Sequence, residues 1–300
     1  MRILLTGAAG QLGRELTPML AERGELTTTD IDDSVTRVDR RVDITDERQL
    51  RLLLENVNPQ LIVNTAADTA VDAAEKHPAR ARALNAGMPQ RLAAWCRQNR
   101  GLLVHFSTDY VFDGTKDSPY REDDEPSPIS IYGMTKRGGE HAVLTGGCRH
   151  ILLRTSWVYS SHGRNFVRRM LELGRERRRL SVVNDQRGCP TWARNLAEVT
   201  VKLIDEAGSD GSPGLLHYCD RDPLTWYEFA VMIFERAEKR GLLDRAPDLV
   251  PVESSAFQAP AARPTNSVLD TSAIKERYGI EPRPLSESLE ACFEELEANE

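Results

Sequence analysis

The sequence predicts an α/β fold, a doubly wound parallel sheet with a smaller mixed α/β lobe, and two observations carry that prediction. Short β-branched runs alternate with longer helical patterns from the first residue. A glycine-rich segment, Gly7-Ala8-Ala9-Gly10-Gln11-Leu12-Gly13, also joins the first strand to the first helix. In that position glycines let the backbone turn tightly and approach a bound pyrophosphate, while free amides at the helix start face its charge.

The elements follow in order. Residues 2–6 read as a buried strand and 11–23 as a helix that Gly24 can cap. Residues 25–29 form a second strand, and Val42 lies in a brief third. A helix over 46–57 leads to a strand over 61–64. One amphipathic helix covers 78–99 and feeds a strand over 102–106. Further strands are expected at 151–153 and 180–183, and helices at 165–173, 193–206 and 225–240. Pro and Gly punctuate the connections, as in Gly188-Cys189-Pro190 and Gly211-Ser212-Pro213-Gly214. There is no internal repeat. The expected organisation is a Rossmann-like dinucleotide-binding domain over 1–155 and a second lobe built mainly from 156–300, some of whose segments return to the first domain.

Bulk properties narrow the function. At 300 residues the chain exceeds one ordinary core, and 40% hydrophobic with 28% charged residues is a globular balance. A net charge of −7 gives no support to nucleic-acid binding or to docking on an anionic membrane. No apolar run has the length of a membrane span, and Met1 leads straight into a strand, unlike a signal peptide. The cysteines at 96, 148, 189, 219 and 292 are odd in number and scattered, which fits reduced thiols in a cytoplasmic protein. The six histidines show no zinc-ligand spacing with them, so no metal site is expected.

Three segments carry chemistry. Asp30 ends the second strand 17 residues beyond Gly13, where an acid suits the hydroxyls of an adenosine ribose and leans the cofactor toward NADH. Arg37, Arg40 and Arg41 lie downstream and suit a 2′-phosphate, so NADPH stays open. Thr108 lies in Ser107-Thr108-Asp109-Tyr110-Val111-Phe112-Asp113-Gly114, just past a strand whose carboxyl end should face the ligand crevice. Tyr132 and Lys136 are four residues apart, so on a helix they share one face. A nearby ammonium should pull the phenol's pKa down toward useful acid–base chemistry. Each segment alone also reads as an ordinary turn or helix surface; their order in one chain is what points to catalysis.

That order resembles the Ser/Thr-Tyr-Lys set of the extended short-chain dehydrogenases, with Asn64-Thr65-Ala66-Ala67 at a strand end as in that class. The chain is similar almost end to end to the dTDP-4-dehydrorhamnose reductases, through Ser107 to Gly114, Tyr132 to Lys136 and Arg154-Thr155-Ser156-Trp157-Val158-Tyr159. Asn184-Asp185-Gln186, Thr225-Trp226-Tyr227 and Arg263-Pro264 continue the likeness. The resemblance implies that Tyr132 is the general acid, that Lys136 tunes it and holds the nicotinamide ribose, and that Thr108 orients the carbonyl. It implies cofactor contacts from Gly7, Gly10, Gln11, Leu12, Gly13, Asp30, Asp43, Ile44, Ala66, Ala67, Asp68 and Thr69, with Tyr132 and Lys136. Substrate contacts fall to Thr108, Asp109, Trp157 and Arg263. Trp157 offers an indole face as an apolar wall for a deoxysugar, and Arg263 is placed to meet a diphosphate.

The implied reaction is NAD(P)H-dependent reduction of dTDP-4-dehydrorhamnose, which supplies rhamnose for surface polysaccharide, by a monomer or homodimer. Two departures stand out. Asp68 occupies a place where tyrosine or histidine is more usual. Some members dimerise through acidic residues and Mg²⁺, yet Arg194 stands where an acid to accompany Glu15 is expected. The competing readings are an epimerase or dehydratase holding NAD tightly, and a non-catalytic regulatory relative. Tyr110 after Asp109 gives little help to the dehydratase, and the intact Thr108, Tyr132 and Lys136 set argues against lost chemistry.

Overall fold

In the computed structural model, which describes all residues except 33, 35, 209, 210, 299 and 300, seven strands pair side by side in parallel. They are β1 (Arg2–Thr6), β2 (Glu25–Asp30), β3 (Arg40–Arg41), β4 (Leu61–Asn64), β5 (Leu102–Thr108), β6 (Arg149–Thr155) and, far along the chain, Gly214–His217. The last follows four short strands, β7 (Val158–Tyr159), β8 (Arg179–Val183), β9 (Arg187–Gly188) and β10 (Thr191–Trp192), and is therefore β11. The order across the sheet is β11-β6-β5-β4-β1-β2-β3. The central strands are apolar and buried along their length, because helices cover both faces of a parallel sheet. One face packs on α1 (Gln11–Ala21), α8 (Ala193–Ala207) and α10 (Ser272–Tyr278); the other packs on α2 (Glu47–Val57) and α5 (Met88–Asn99). The chain winds outward in opposite directions from β1 and β4, so a crevice opens at their carboxyl ends.

A second core gathers Tyr159, Val167, Phe229, Phe234, Leu289 and Phe293. It joins α7 (Phe166–Glu176), α9 (Trp226–Lys239) and α11 (Leu285–Ala298) to the parallel pair β8 and β13 (Asp248–Val252), with β12 (Leu224–Thr225) pairing β9. Late segments also serve the sheet: α8 packs beside α1 in the first core, and β11 pairs β6. The Gly114–Tyr120 stretch is in turn stitched to the end of the chain, with Tyr120 N donating to Val268 O at 2.8 Å and Thr265 Oγ1 to Gly114 O at 2.9 Å.

Three local features differ from the expectation. The third strand is Arg40–Arg41, one step before Val42, whose amide bonds Asp30 O before the chain turns. Gly24 does not cap α1, which ends on Glu22; it lets β2 pass Met1, whose carbonyl oxygen would lie 2.1 Å from any Cβ there. The helix over 78–99 is broken into α4 (Pro78–Arg82), a π turn (Ala83–Gly87) and α5. Pro89 has no N–H to return to Asn85 O, so the ladder widens at that point and Met88 N reaches back to Ala83 O. Three short or late helices, α3 (Val71–Lys76), α10 and α11, fall where no helix is expected, and α6 (Ile131–Thr145) carries the Tyr132–Lys136 pair. No helix among the described residues is long and apolar enough to cross a membrane.

Candidate active site

The glycine segment crosses from β1 to α1 at the crevice. Gly7 sits in the left-handed region (φ +74°), and a Cβ there would come within 2.6 Å of Ala66 N. A Cβ on Gly13 would strike Gly7 O at 2.2 Å. Gly10 caps α1 without a side chain, so the first amides of the helix are left for a ligand. This is a cradle that fits a dinucleotide pyrophosphate. Leu12 turns into the sheet core, while Gln11 Oε1 accepts from Asn165 Nδ2 at 2.9 Å and so faces the second lobe.

Asp30 lies at the carboxyl end of β2. Its Oδ2 accepts from Ala9 N at 3.0 Å and its Oδ1 from Ile31 N at 2.7 Å, so it braces the glycine turn rather than standing free. Asp43 is spent on Thr45 (2.6 Å to Oγ1), and Ile44 is buried in the core behind it. Ala66, Ala67, Asp68 and Thr69 follow β4. Thr65 Oγ1 fastens the start of that loop to Thr6 O (2.7 Å), and Asn85 fastens the middle. Asp68 N donates to Asn85 Oδ1 (2.8 Å), Asn85 Nδ2 donates to Asp68 O (3.0 Å) and to Thr135 Oγ1 (3.1 Å). Asp68 itself is buried, with Arg80 3.5 Å from its carboxylate. No pattern in the sequence marks Asn85; its position is a product of the π turn.

Thr108, Asp109, Tyr132 and Lys136 are brought together. Ser130 caps α6 by accepting from Gly133 N, which aims the first turn, and Tyr132 with it, at the end of β5. Thr108 Oγ1 donates to Asp109 Oδ1 at 3.0 Å, and its hydroxyl lies near enough to the Tyr132 phenol to act on its ionisation. Lys136 Nζ donates to Phe106 O at 2.6 Å. The expected depression of the tyrosine is not what this structure shows. Burial pushes Tyr132 up to about 12, the Thr108 hydroxyl opposes this, and the Asp109 and Asp68 carboxylates add to it. Lys136 is lowered to about 8 by burial, with Glu140 one turn on opposing that. Lys136 is not among the groups that act on the phenol; its ammonium is turned to the β5 carbonyl, and nothing offsets the phenol's loss of water but the Thr108 hydroxyl. Asp109 is raised to about 7, again mainly by burial.

The substrate-side residues sit further out. Trp157 has a left-handed backbone (φ +48°) and stacks on Trp226 with ring centroids 3.4 Å apart and planes 4° from parallel. Gly188 closes on the same ring, since a Cβ there would be 2.6 Å from Trp157. The open indole face expected of Trp157 is therefore covered, by an aromatic residue from α9. Arg263 is paired with Asp72 (2.8 Å) and donates to Ala261 O (3.0 Å), on the wall of a cleft of about 680 Å³. Phe166, Met170, Trp226, Ser254 and Phe257 also line that cleft. Tyr110 links it to the Thr108–Tyr132 group, its ring set edge-on to Tyr132 at 5.9 Å and within the field of Arg263 and Asp72. Arg263 is the residue of this cleft that the sequence points to; Trp226 stands in a segment of the family likeness, and only the fold brings it to the cleft. The acidic group around Glu15 does not fit a Mg²⁺ ion, because the Arg194 guanidinium already bonds two of its carboxylates.

A glycine cradle at the switch point with a hydroxyl, a phenol and an ammonium beside it defines a reductase of the extended short-chain dehydrogenase class. Residues 1–298 match the family model for the RmlD substrate binding domain. A dTDP-4-dehydrorhamnose reductase of Burkholderia thailandensis is 39% identical over 99% of both chains. The probable dTDP-4,6-dihydroxy-2-methyloxan-3-one 4-ketoreductase of Streptomyces antibioticus is 44% identical over 90% of this chain and 86% of its own. The structure of dTDP-4-dehydrorhamnose reductase from Bacillus anthracis in complex with NADP superposes with a TM-score of 0.88, at 34% identity, covering 98% of this chain and 99% of that one. The chain belongs to the dTDP-4-dehydrorhamnose reductase family.

Proposed function

We propose that this protein reduces the 4-keto group of dTDP-4-dehydro-β-L-rhamnose to give dTDP-β-L-rhamnose, using NADPH or NADH. The observation that carries the reading is the convergence of Thr108, Tyr132 and Lys136 at the end of β5, beside the glycine cradle, in a chain this similar to such reductases. A dihydronicotinamide held at the glycine cradle and Lys136 would supply the hydride for C4. Tyr132 gives the phenolic proton to O4 as the alkoxide forms, so the carbonyl gains one hydride and one proton. Thr108 holds the carbonyl oxygen toward that phenol and stabilises the developing charge. Lys136 keeps a positive charge beneath the pair and is the group to hold the nicotinamide ribose.

On this reading Asp109 serves the sugar hydroxyls and the cleft bounded by Arg263 and Trp226 takes the nucleotide diphosphate, with Arg263 giving up part of its pairing with Asp72. NADPH is supported by the NADP-bound Bacillus relative and by Arg37, Arg40 and Arg41 near Asp30. A second substrate, another dTDP-linked 4-keto deoxysugar, is supported by the likeness to the Streptomyces ketoreductase. The test is dihydronicotinamide oxidation with dTDP-4-dehydrorhamnose formed in situ, with the product identified by chromatography and mass. Substrate-dependent oxidation yielding dTDP-rhamnose supports the first reading, and the ratio of the two cofactor rates decides the preference. Oxidation only with a different 4-keto sugar supports the second. A protein that binds both dinucleotides and turns over neither is a non-catalytic relative.

A further inference from the structure

Among the described residues, one group of His, Cys, Asp or Glu side chains has ligand atoms close enough to share a metal ion: Glu15, His162 and Glu295, all within 4.8 Å of one another. They arrive from α1, from the loop after β7 and from α11. Arg194, on the first turn of α8, lies between them. Its Nε is 2.9 Å from Glu15 Oε2 and its Nη1 is 2.5 Å from Glu295 Oε1. The guanidinium also lies over the Trp192 ring, 5.5 Å from its centroid. His162 Nε2 reaches Glu15 Oε1 at 3.3 Å, and Ser161 Oγ donates to Glu295 Oε2 at 3.0 Å. Glu15 is almost wholly buried, so its charge needs a partner.

We propose that the Arg194 guanidinium is the resident cation of this cluster, holding α1, α8 and α11 together, and that the protein binds no divalent ion there. Arginine presents several N–H donors in a planar fork, enough to serve two carboxylates at once, and it stays charged at any pH at which the protein is folded. A divalent ion drawn to Glu15 and Glu295 would meet that fixed positive charge at contact range and would have to displace it from both acids. With that guanidinium removed, Glu15 and Glu295 would lose the one cation that bonds them both, and with His162 they would offer an oxygen-and-nitrogen site to a divalent ion.

Mn²⁺ titration followed by electron paramagnetic resonance tests this, on the wild type, Glu15→Gln, Arg194→Gln and the double variant. Magnesium-dependent change in thermal midpoint gives a second readout. The wild type should show no saturable Mn²⁺ site that Glu15→Gln removes, and no Mg²⁺-dependent midpoint shift. Arg194→Gln should bind one Mn²⁺ at least about tenfold more tightly than the wild type, gain stability with Mg²⁺, and lose both on adding Glu15→Gln. Arg194→Lys, which keeps a charge, should behave as the wild type. A Glu15-dependent Mn²⁺ site in the wild type would overturn the proposal, as would a folded Arg194→Gln protein with no gain. If Arg194→Gln does not fold, the wild-type and Glu15→Gln titrations decide the matter alone.

Discussion

Burial sets the charge states of Tyr132, Lys136 and Asp109, and the pH dependence expected of the proposed reaction follows from them. Tyr132, raised to about 12, keeps its proton across the working range, so the acid form needed for reduction is always present. Lys136, lowered to about 8, loses its charge as pH rises past that value. We expect kcat/KM to fall above about pH 8, and the fall to be absent in Lys136→Arg, whose guanidinium stays charged although its rate is lower. A pH profile with the same limb in both proteins would contradict this. Asp109 supplies a stability counterpart. Its folded pKa of about 7 against an ordinary 3.8 means the native state holds a proton that the unfolded chain has released between those values. Stability is therefore lost as pH rises through that window, by up to about 4 kcal/mol once the carboxylate is ionised. Asp109→Asn should accordingly raise the urea midpoint at pH 8 and leave it nearly unchanged at pH 4, while lowering activity. The four-residue spacing of Tyr132 and Lys136 puts both on one face once the segment is helical, as α6 is. It says nothing about depth in the protein, and depth is what decides the direction of the tyrosine's pKa.

Elements are fixed to one another by a few buried polar bonds that hydrophobic periodicity does not reveal. Arg154 at the end of β6 grips Glu140 of α6 with two bonds, Nε to Oε1 at 2.7 Å and Nη2 to Oε2 at 2.9 Å, both side chains fully buried. The same guanidinium lies over Phe112, 5.0 Å from its centroid. The pair anchors the helix that carries Tyr132 and Lys136. Arg154→Leu leaves the buried Glu140 with only the part-exposed Arg137, 3.1 Å from its Oε2, to offset its charge, and should cost about 3–5 kcal/mol of stability, most of it restored by adding Glu140→Leu. Urea denaturation of the two variants checks this; equal losses in both would mean that packing, not the stranded charge, dominates. The strands β1, β4 and β5 and the glycine turn are legible in the sequence because apolar runs and glycines report backbone constraints directly. The π turn is not, since a proline within an amphipathic pattern leaves open whether the helix ends, kinks or widens. Here Pro89 widens it, and Asn85 is thereby delivered to the loop that holds Asp68.

Across the whole molecule, residues distant in sequence complete both sides of the crevice. Most of the sheet half is foreseeable from 1–155, because β1, β3, β4 and β5 each lead to a helix, while β11, α8 and α10 reach it from later in the chain. The outer wall is assembled from α3, α7, β8, α9 and the 254–263 segment, and no local pattern announces that these converge. Trp157 shows the limit: its sequence context places it after a strand, yet only the tertiary packing sets Trp226 against its face. The central claim is that Tyr132 protonates the sugar oxygen as hydride arrives at this crevice. Single-turnover oxidation of NADPH, with dTDP-4-dehydrorhamnose in excess, should form dTDP-rhamnose in the wild type. In Tyr132→Phe the chemical step should slow by at least about 100-fold, with NADPH bound at unchanged affinity. A Tyr132→Phe protein that makes dTDP-rhamnose at the parent rate would contradict the account.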